Sequence, residues 1–112
     1  MTTLFGKIIR RELPAEIVYE DEWCLAFRDI NPQAPTHVLL VPKKEIETLS
    51  SATPEDQSLP GHMLLAAGKV ARKLGVGDTF RIVVNNGAGA GQTVFHLHLH
   101  ILAGRKLNWP PG

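Results

Sequence analysis

Hydrophobic and polar positions divide this chain into short segments of two different periods. Thr2 or Thr3 can cap a helix running to about Arg11, with Leu4, Phe5, Ile8 and Ile9 on one stripe and Pro14 beyond its end. Ile17–Glu20 and Trp23–Arg28 are β-prone runs parted by the acidic turn Glu20-Asp21-Glu22, a hairpin pattern. Asp29–Thr36 carries two prolines and reads as a loop, and His37–Pro42 follows as a largely buried strand ended by its proline. Thr53-Pro54-Glu55-Asp56 is a helix-start signature, after which Leu59, Met63, Ala66, Ala67, Val70 and Leu74 keep helical spacing up to Gly75. Pro60 interrupts that helix, so either it kinks there or its regular part begins near Ser58 with Pro60 in the first turn. Thr79–Asn85 reads as a fourth strand, Asn86–Gln92 as a glycine-rich turn and Thr93–Leu102 as a fifth strand. The fold class this predicts is α+β: a five-stranded, mostly antiparallel sheet with one long and one short helix packed on one face.

The fifth strand departs from ordinary patterning. His96, His98 and His100 alternate with Leu97, Leu99 and Ile101, and in an extended chain such residues point to opposite faces. One face is therefore expected to bury and the other to do chemistry. An isolated strand histidine is usually a satisfied polar residue, whereas three at strict two-residue spacing span roughly 14 Å and can follow one extended ligand. Imidazole near neutrality serves as nucleophile, general acid or metal ligand, and His37 could complete a histidine-only metal set. Spacing alone leaves metal open. Gly87, Gly89 and Gly91 just before the row lean towards phosphate, because glycine lets backbone N–H groups approach an anion closely.

Composition narrows the setting. At 112 residues the chain fits one domain, residues 1–112, with 44% hydrophobic and 21% charged residues. A net charge of +1 gives no electrostatic hold on nucleic acid. No apolar run is long enough to span a membrane, and the first residues lack the apolar region of a signal peptide. The single cysteine, Cys24, cannot form an internal disulfide, so a reducing, cytoplasmic setting is expected.

His96-Leu97-His98-Leu99-His100-Ile101-Leu102 resembles the His-φ-His-φ-His-φ-φ signature of the histidine triad (HIT) superfamily. Most of the remaining chain is similar to its Hint branch: Phe5–Ile9, Leu25-Ala26-Phe27, Asp29-Ile30, Pro32–His37, Val41–Lys44, Val83-Val84-Asn85, Gly91-Gln92-Thr93 and Trp109–Gly112. The resemblance implies a homodimeric hydrolase of purine nucleoside phosphoramidates that needs no metal or cofactor and binds adenosine monophosphate as product. By position it implies that His98 attacks the α-phosphorus and that His100 donates to phosphate oxygens. Asn85 and the backbone of Gly91, Gln92 and Thr93 would lie nearby, while His37 and His96 form a supporting relay. Asp29 takes the ribose hydroxyls, and Leu4, Phe5, Ile8, Phe27 and Ile30 enclose the base. Thr93 stands where such proteins usually carry serine, near the leaving group; Asn86 and Asn108 also depart from the usual residues, and His62 matches no triad position and reads as structural. Two other readings accompany this one: a different triad branch, acting on dinucleoside polyphosphates or transferring nucleotidyl groups, and a nucleotide-binding interaction protein. The stripe Met63, Ala66, Ala67 and Val70 suits either the chain's own sheet or a second copy, and the resemblance favours the dimer.

Overall fold

The computed structural model describes residues 3–112, so Thr2 as a helix cap lies outside the described residues. Helix α1 spans Leu4–Ile9, and Thr3 caps it by accepting the Gly6 N–H at 3.0 Å. Six residues are too few for a helix to persist alone. It is held by Phe5 and Ile8, which pack on Leu25, Phe27, Leu39 and Val41.

Strands β1 (Ile17–Glu20) and β2 (Cys24–Arg28) form the expected hairpin, with β2 starting one residue later than the pattern suggests. Its turn is held by Asp21, whose Oδ1 accepts the N–H groups of Trp23 (2.7 Å) and Cys24 (2.9 Å). Strand β3 is Thr36–Pro42. Thr53 and Pro54 open a short 3₁₀ turn, Pro54–Asp56, and the long helix α2 begins at Ser58 and runs to Lys73. Pro60 therefore sits in its first turn, where a missing N–H costs nothing, and Gly75 follows the C-cap Leu74 with φ +79°.

Strands β4 (Arg81–Val83) and β5 (Leu99–Ala103) complete a five-stranded sheet of order β1-β2-β3-β5-β4, every neighbouring pair antiparallel. Both are shorter than their sequence patterns. Regular pairing ends at Val83↔His100 and Leu40↔Leu99; upstream the Leu97 N–H goes to Ile46 O and the His96 ring, not its backbone, reaches Pro42 O. The histidine row is thus half strand and half irregular segment.

The helices lie on opposite faces of the sheet, not together on one. Cys24, Ala26, Val38, Leu40, Leu99 and Ile101 pack against Met63, Ala66, Ala67 and Val70 of α2. Their alternates Leu25, Phe27, Leu39 and Val41 pack under α1. Both registers of the central strands are apolar, so both faces need a cover. The α2 stripe accordingly fills the chain's own core, and the exposed apolar residues of that helix are its neighbours Leu64 and Leu65, 54% and 74% exposed. Among the described residues, no helix is long and apolar enough to cross a membrane.

Candidate active site

The α1 face carries the histidines. His37 in β3 and His100 in β5 share the side of Leu39, and His98 precedes β5 on the same side. Contrary to a simple buried-versus-reactive division, His37, His96 and His98 are as buried as the leucines between them.

Hydrogen-bond partners fix each ring. His98 Nδ1 lies 2.8 Å from the carbonyl oxygen of His96. A carbonyl only accepts, so Nδ1 carries the proton and Nε2 keeps its lone pair. His37 Nδ1 accepts the Gln33 N–H at 3.0 Å, which places the His37 proton on Nε2. That nitrogen donates to His100 Nδ1 at 2.9 Å, with Asp29 Oδ2 flanking it at 3.4 Å. His100 must then carry its own proton on Nε2. The row therefore presents one bare nitrogen and, beside it, one N–H.

Burial favours the neutral rings these assignments require. It lowers His98 and His37 below the ordinary imidazole range and takes His100 down to about 4, helped in the last case by the neighbouring His98 and His37. The His98 ring is also wedged edge-on to Phe5, centroids 5.0 Å apart, and against His100, also 5.0 Å.

His96 takes no part in the ring relay. Its Nε2–H donates to Pro42 O at 2.8 Å and its Nδ1 accepts the Thr3 hydroxyl at 3.0 Å, so the ring ties α1 to the end of β3. Its contribution to His98 is the backbone carbonyl. Among the described residues, the ring-to-ring hydrogen bond of the site is that of His37 with His100.

A pocket of about 330 Å³ lies over His98 and His100. Of the residues singled out in the sequence, Leu4, Phe5, Ile8, Phe27, Asp29, Ile30 and Thr93 line it. Ile30 forms an almost fully exposed lip. Leu13, Pro14, Ala15, Arg28, Leu39 and Val94 line it as well, and sequence reasoning missed them. Leu39 was legible, two residues from His37 on one strand face; the segment after α1 carries no periodic signal. Asn85, Gly91 and Gln92 stand back from the pocket. Asn85 lies against Gly91, whose φ of +101° needs glycine. Gln92 turns inward, accepting the Gly87 N–H and donating to Glu47 O and Val94 O, and so braces the glycine loop. Asn86 accepts the Ser50 N–H at 2.7 Å.

Donor atoms of Asp29, His37 and His100 lie within 4.8 Å of one another, so a cation could be held there only by breaking the His37–His100 hydrogen bond. A larger hollow, about 660 Å³, opens between the starts of β2 and α2. It holds His62 but none of the paired rings, and chemistry, not size, selects the smaller pocket.

The HIT domain profile matches residues 10–107. An uncharacterised HIT-like protein of Synechocystis is 69% identical over 110 residues, covering 98% of this chain and 96% of that protein; its Synechococcus elongatus counterpart is 57% identical over the same length and coverage. Among solved structures, a HIT family hydrolase from Legionella pneumophila superposes with a TM-score of 0.94 at 48% identity, covering 97% of this chain and 98% of that one. A HIT family hydrolase from Clostridium thermocellum superposes with a TM-score of 0.91 at 45% identity, covering 95% and 93%. The chain belongs to the HIT family.

Proposed function

We propose that this HIT-family chain is a cytoplasmic hydrolase that cleaves the P–N bond of purine nucleoside phosphoramidates, working as a homodimer and passing the nucleotidyl group through His98. The observation that carries this reading is the His98 hydrogen bond to the His96 carbonyl, which leaves Nε2 unprotonated at the pocket, so that no base is needed to free it. Two structural relatives named as hydrolases support hydrolysis in general.

In the proposed reaction Nε2 of His98 attacks phosphorus and the P–N electron pair leaves with the amine, which takes up a proton. Water then attacks the phosphorus of the nucleotidyl-histidine and releases the nucleoside monophosphate. His100 Nε2–H donates to a phosphate oxygen as charge builds on it. The apolar walls from Phe5, Phe27, Leu4 and Ile8 suit a flat base, and Asp29 beside them suits the ribose hydroxyls. Thr93 also lines the pocket, and its hydroxyl is the group that would donate near the leaving group.

Dimerisation is supported by the tail. Arg81 Nη2 donates to Asn108 O at 3.0 Å, which lays the tail along edge strand β4. Trp109, 82% exposed, is not part of its own chain's pocket. It is therefore available to a second copy.

The test is turnover of an adenosine phosphoramidate with acid quenching and mass spectrometry. Wild type should show a nucleotidyl adduct on His98. In His98→Ala the adduct should vanish and turnover fall by at least roughly 10³-fold, with binding of the product nucleotide largely kept. Undiminished turnover in that variant, or activity lost to a chelator and restored by zinc, would overturn the reading.

A further inference from the structure

We propose that Asp21, Cys24 and His62 form a binding site for zinc or a similar borderline-soft divalent cation, separate from the histidine pocket and independent of the reaction proposed above. Asp21 and Cys24 come from the β1–β2 turn and the first residue of β2, His62 from the start of α2. Their ligand atoms all lie within 4.8 Å of one another.

The Cys24–Asp21 separation is that of a coordination sphere, and His62 lies close to it. Cys24 Sγ stands 3.4 and 3.6 Å from the two Asp21 carboxylate oxygens, and His62 Nε2 stands 2.7 Å from Oδ2. Bonds of about 2.0 to 2.3 Å in a tetrahedral arrangement put ligand atoms roughly 3.3 to 3.6 Å apart. Thiol and carboxylate already have this spacing. His62 has to withdraw by roughly half an ångström, which its partly exposed side chain on the helix surface permits.

The carboxylate is also held as a ligand should be. Asp21 Oδ1 accepts two backbone N–H groups, from Trp23 and Cys24, and Oδ2 accepts the Tyr19 hydroxyl at 2.8 Å. These three bonds can persist while Cys24 and His62 change from donors to ligands, so the outer shell that orients the site exists before any cation arrives. A sulfur, a nitrogen and an oxygen together select zinc or cobalt over magnesium or calcium, which take oxygen alone. Of the three ligands His62 lines the 660 Å³ hollow, beside Trp23, so a cation and the water for a fourth position would enter past His62.

Proton balance is simple. The cation replaces the Cys24 thiol proton, which passes to solvent, and the His62 proton moves from Nε2 to Nδ1. No redox step is involved. The bound cation would clasp the β1–β2 turn to α2.

Cobalt(II) titration of chelator-treated protein tests this. One equivalent should give the thiolate-to-cobalt charge-transfer band and the visible bands of tetrahedral cobalt, bleached by one equivalent of zinc and unaffected by excess magnesium. Cys24→Ala should lose the charge-transfer band. His62→Gln, a change at the helix surface that leaves the core alone, should weaken cobalt binding by at least about tenfold. His100→Ala should keep both bands. A wild type without the charge-transfer band, bands unchanged in both Cys24→Ala and His62→Gln, or bands lost only in His100→Ala would each overturn the site. Because the readout is the cobalt spectrum and not turnover, either outcome leaves the reading of His98 untouched.

Discussion

His37 and His100 meet Nε2 to Nδ1 at 2.9 Å, and the proton between them belongs to His37, because the Gln33 N–H already occupies its other nitrogen. A main-chain amide in the loop before β3 thereby decides which nitrogen of His100 carries hydrogen. His37→Ala should remove that control and leave His100 free to present a bare Nε2 to the phosphate. Loss of one oriented hydrogen bond, about 1.5 kcal/mol, corresponds to roughly tenfold in turnover number. Stopped-time assays at saturating substrate check it, and an unchanged value would mean that His100 needs no such partner.

Asp29 has one oxygen committed, Oδ1 accepting the Asn31 N–H at 2.8 Å, and one beside His37 at the pocket. Asp29→Ala should weaken adenosine monophosphate binding roughly tenfold, the cost of losing a charged hydrogen-bond partner. The same variant should no longer distinguish that nucleotide from its 2′,3′-dideoxy analogue in calorimetric titrations. Equal affinity of the wild type for the two would place the ribose elsewhere.

Thr3 uses one hydroxyl twice, as acceptor for the α1 cap and as donor to His96. Thr3→Ala should cost about 1 to 2 kcal/mol in urea unfolding, since a lost cap is joined by a buried imidazole nitrogen left unpaired. Thr3→Ser should restore most of it. Because Leu4, Phe5 and Ile8 ride on that helix, nucleotide affinity should fall in the alanine variant and recover in the serine one.

Acid should destabilise the protein before its carboxylates titrate. His98, His37 and His100 are held below the ordinary imidazole value of 6.5, His100 at about 4. Between those values the unfolded chain binds more protons than the folded one, so stability falls as pH drops from about 6.5 towards 4, where the histidine contribution is used up. Urea midpoints across this window should decline, and His100→Gln should flatten the decline. A flat wild-type profile would contradict the burial argument.

Light scattering at micromolar concentration should give a mass near twice 12.3 kDa. Deleting residues 108–112 should alter selectivity among amine leaving groups more than it alters binding of the free nucleotide. A monomeric mass would sink the dimer, and an unchanged substrate profile would remove Trp109 from the neighbouring site.

The places of the strands along the chain and the histidine row were largely legible because period-two alternation is a local property, whereas the β3–β5 pairing at the centre of the sheet was not. Leu25/Phe27 against Cys24/Ala26 also encodes two buried faces, yet periodicity does not say which helix covers which, so the pattern suggests both helices on one face where the fold puts one on each. The lengths of β4 and β5 were overestimated for a related reason: pairing stops where the His96 ring and the Leu97 N–H find partners at Pro42 and Ile46, some fifty residues away in sequence. The same distance hides the role of His96, which spacing groups with His98 and His100 but whose ring belongs to Thr3 and Pro42. Leu13, Pro14 and Ala15 reach the pocket only because α1 ends where it does.

The register of β5 has an evolutionary consequence. Leu99 and Ile101 serve the α2 side while His98 and His100 serve the α1 side, so packing and chemistry are written in alternate letters of one word. Such a segment tolerates respelling, since leucine can become valine or isoleucine on one face without disturbing an imidazole on the other. It does not tolerate a shift of frame: losing or gaining a single residue would turn the histidines into the core and the leucines into the pocket. Lineages carrying this strand are therefore free to drift by substitution and barred from drifting by length.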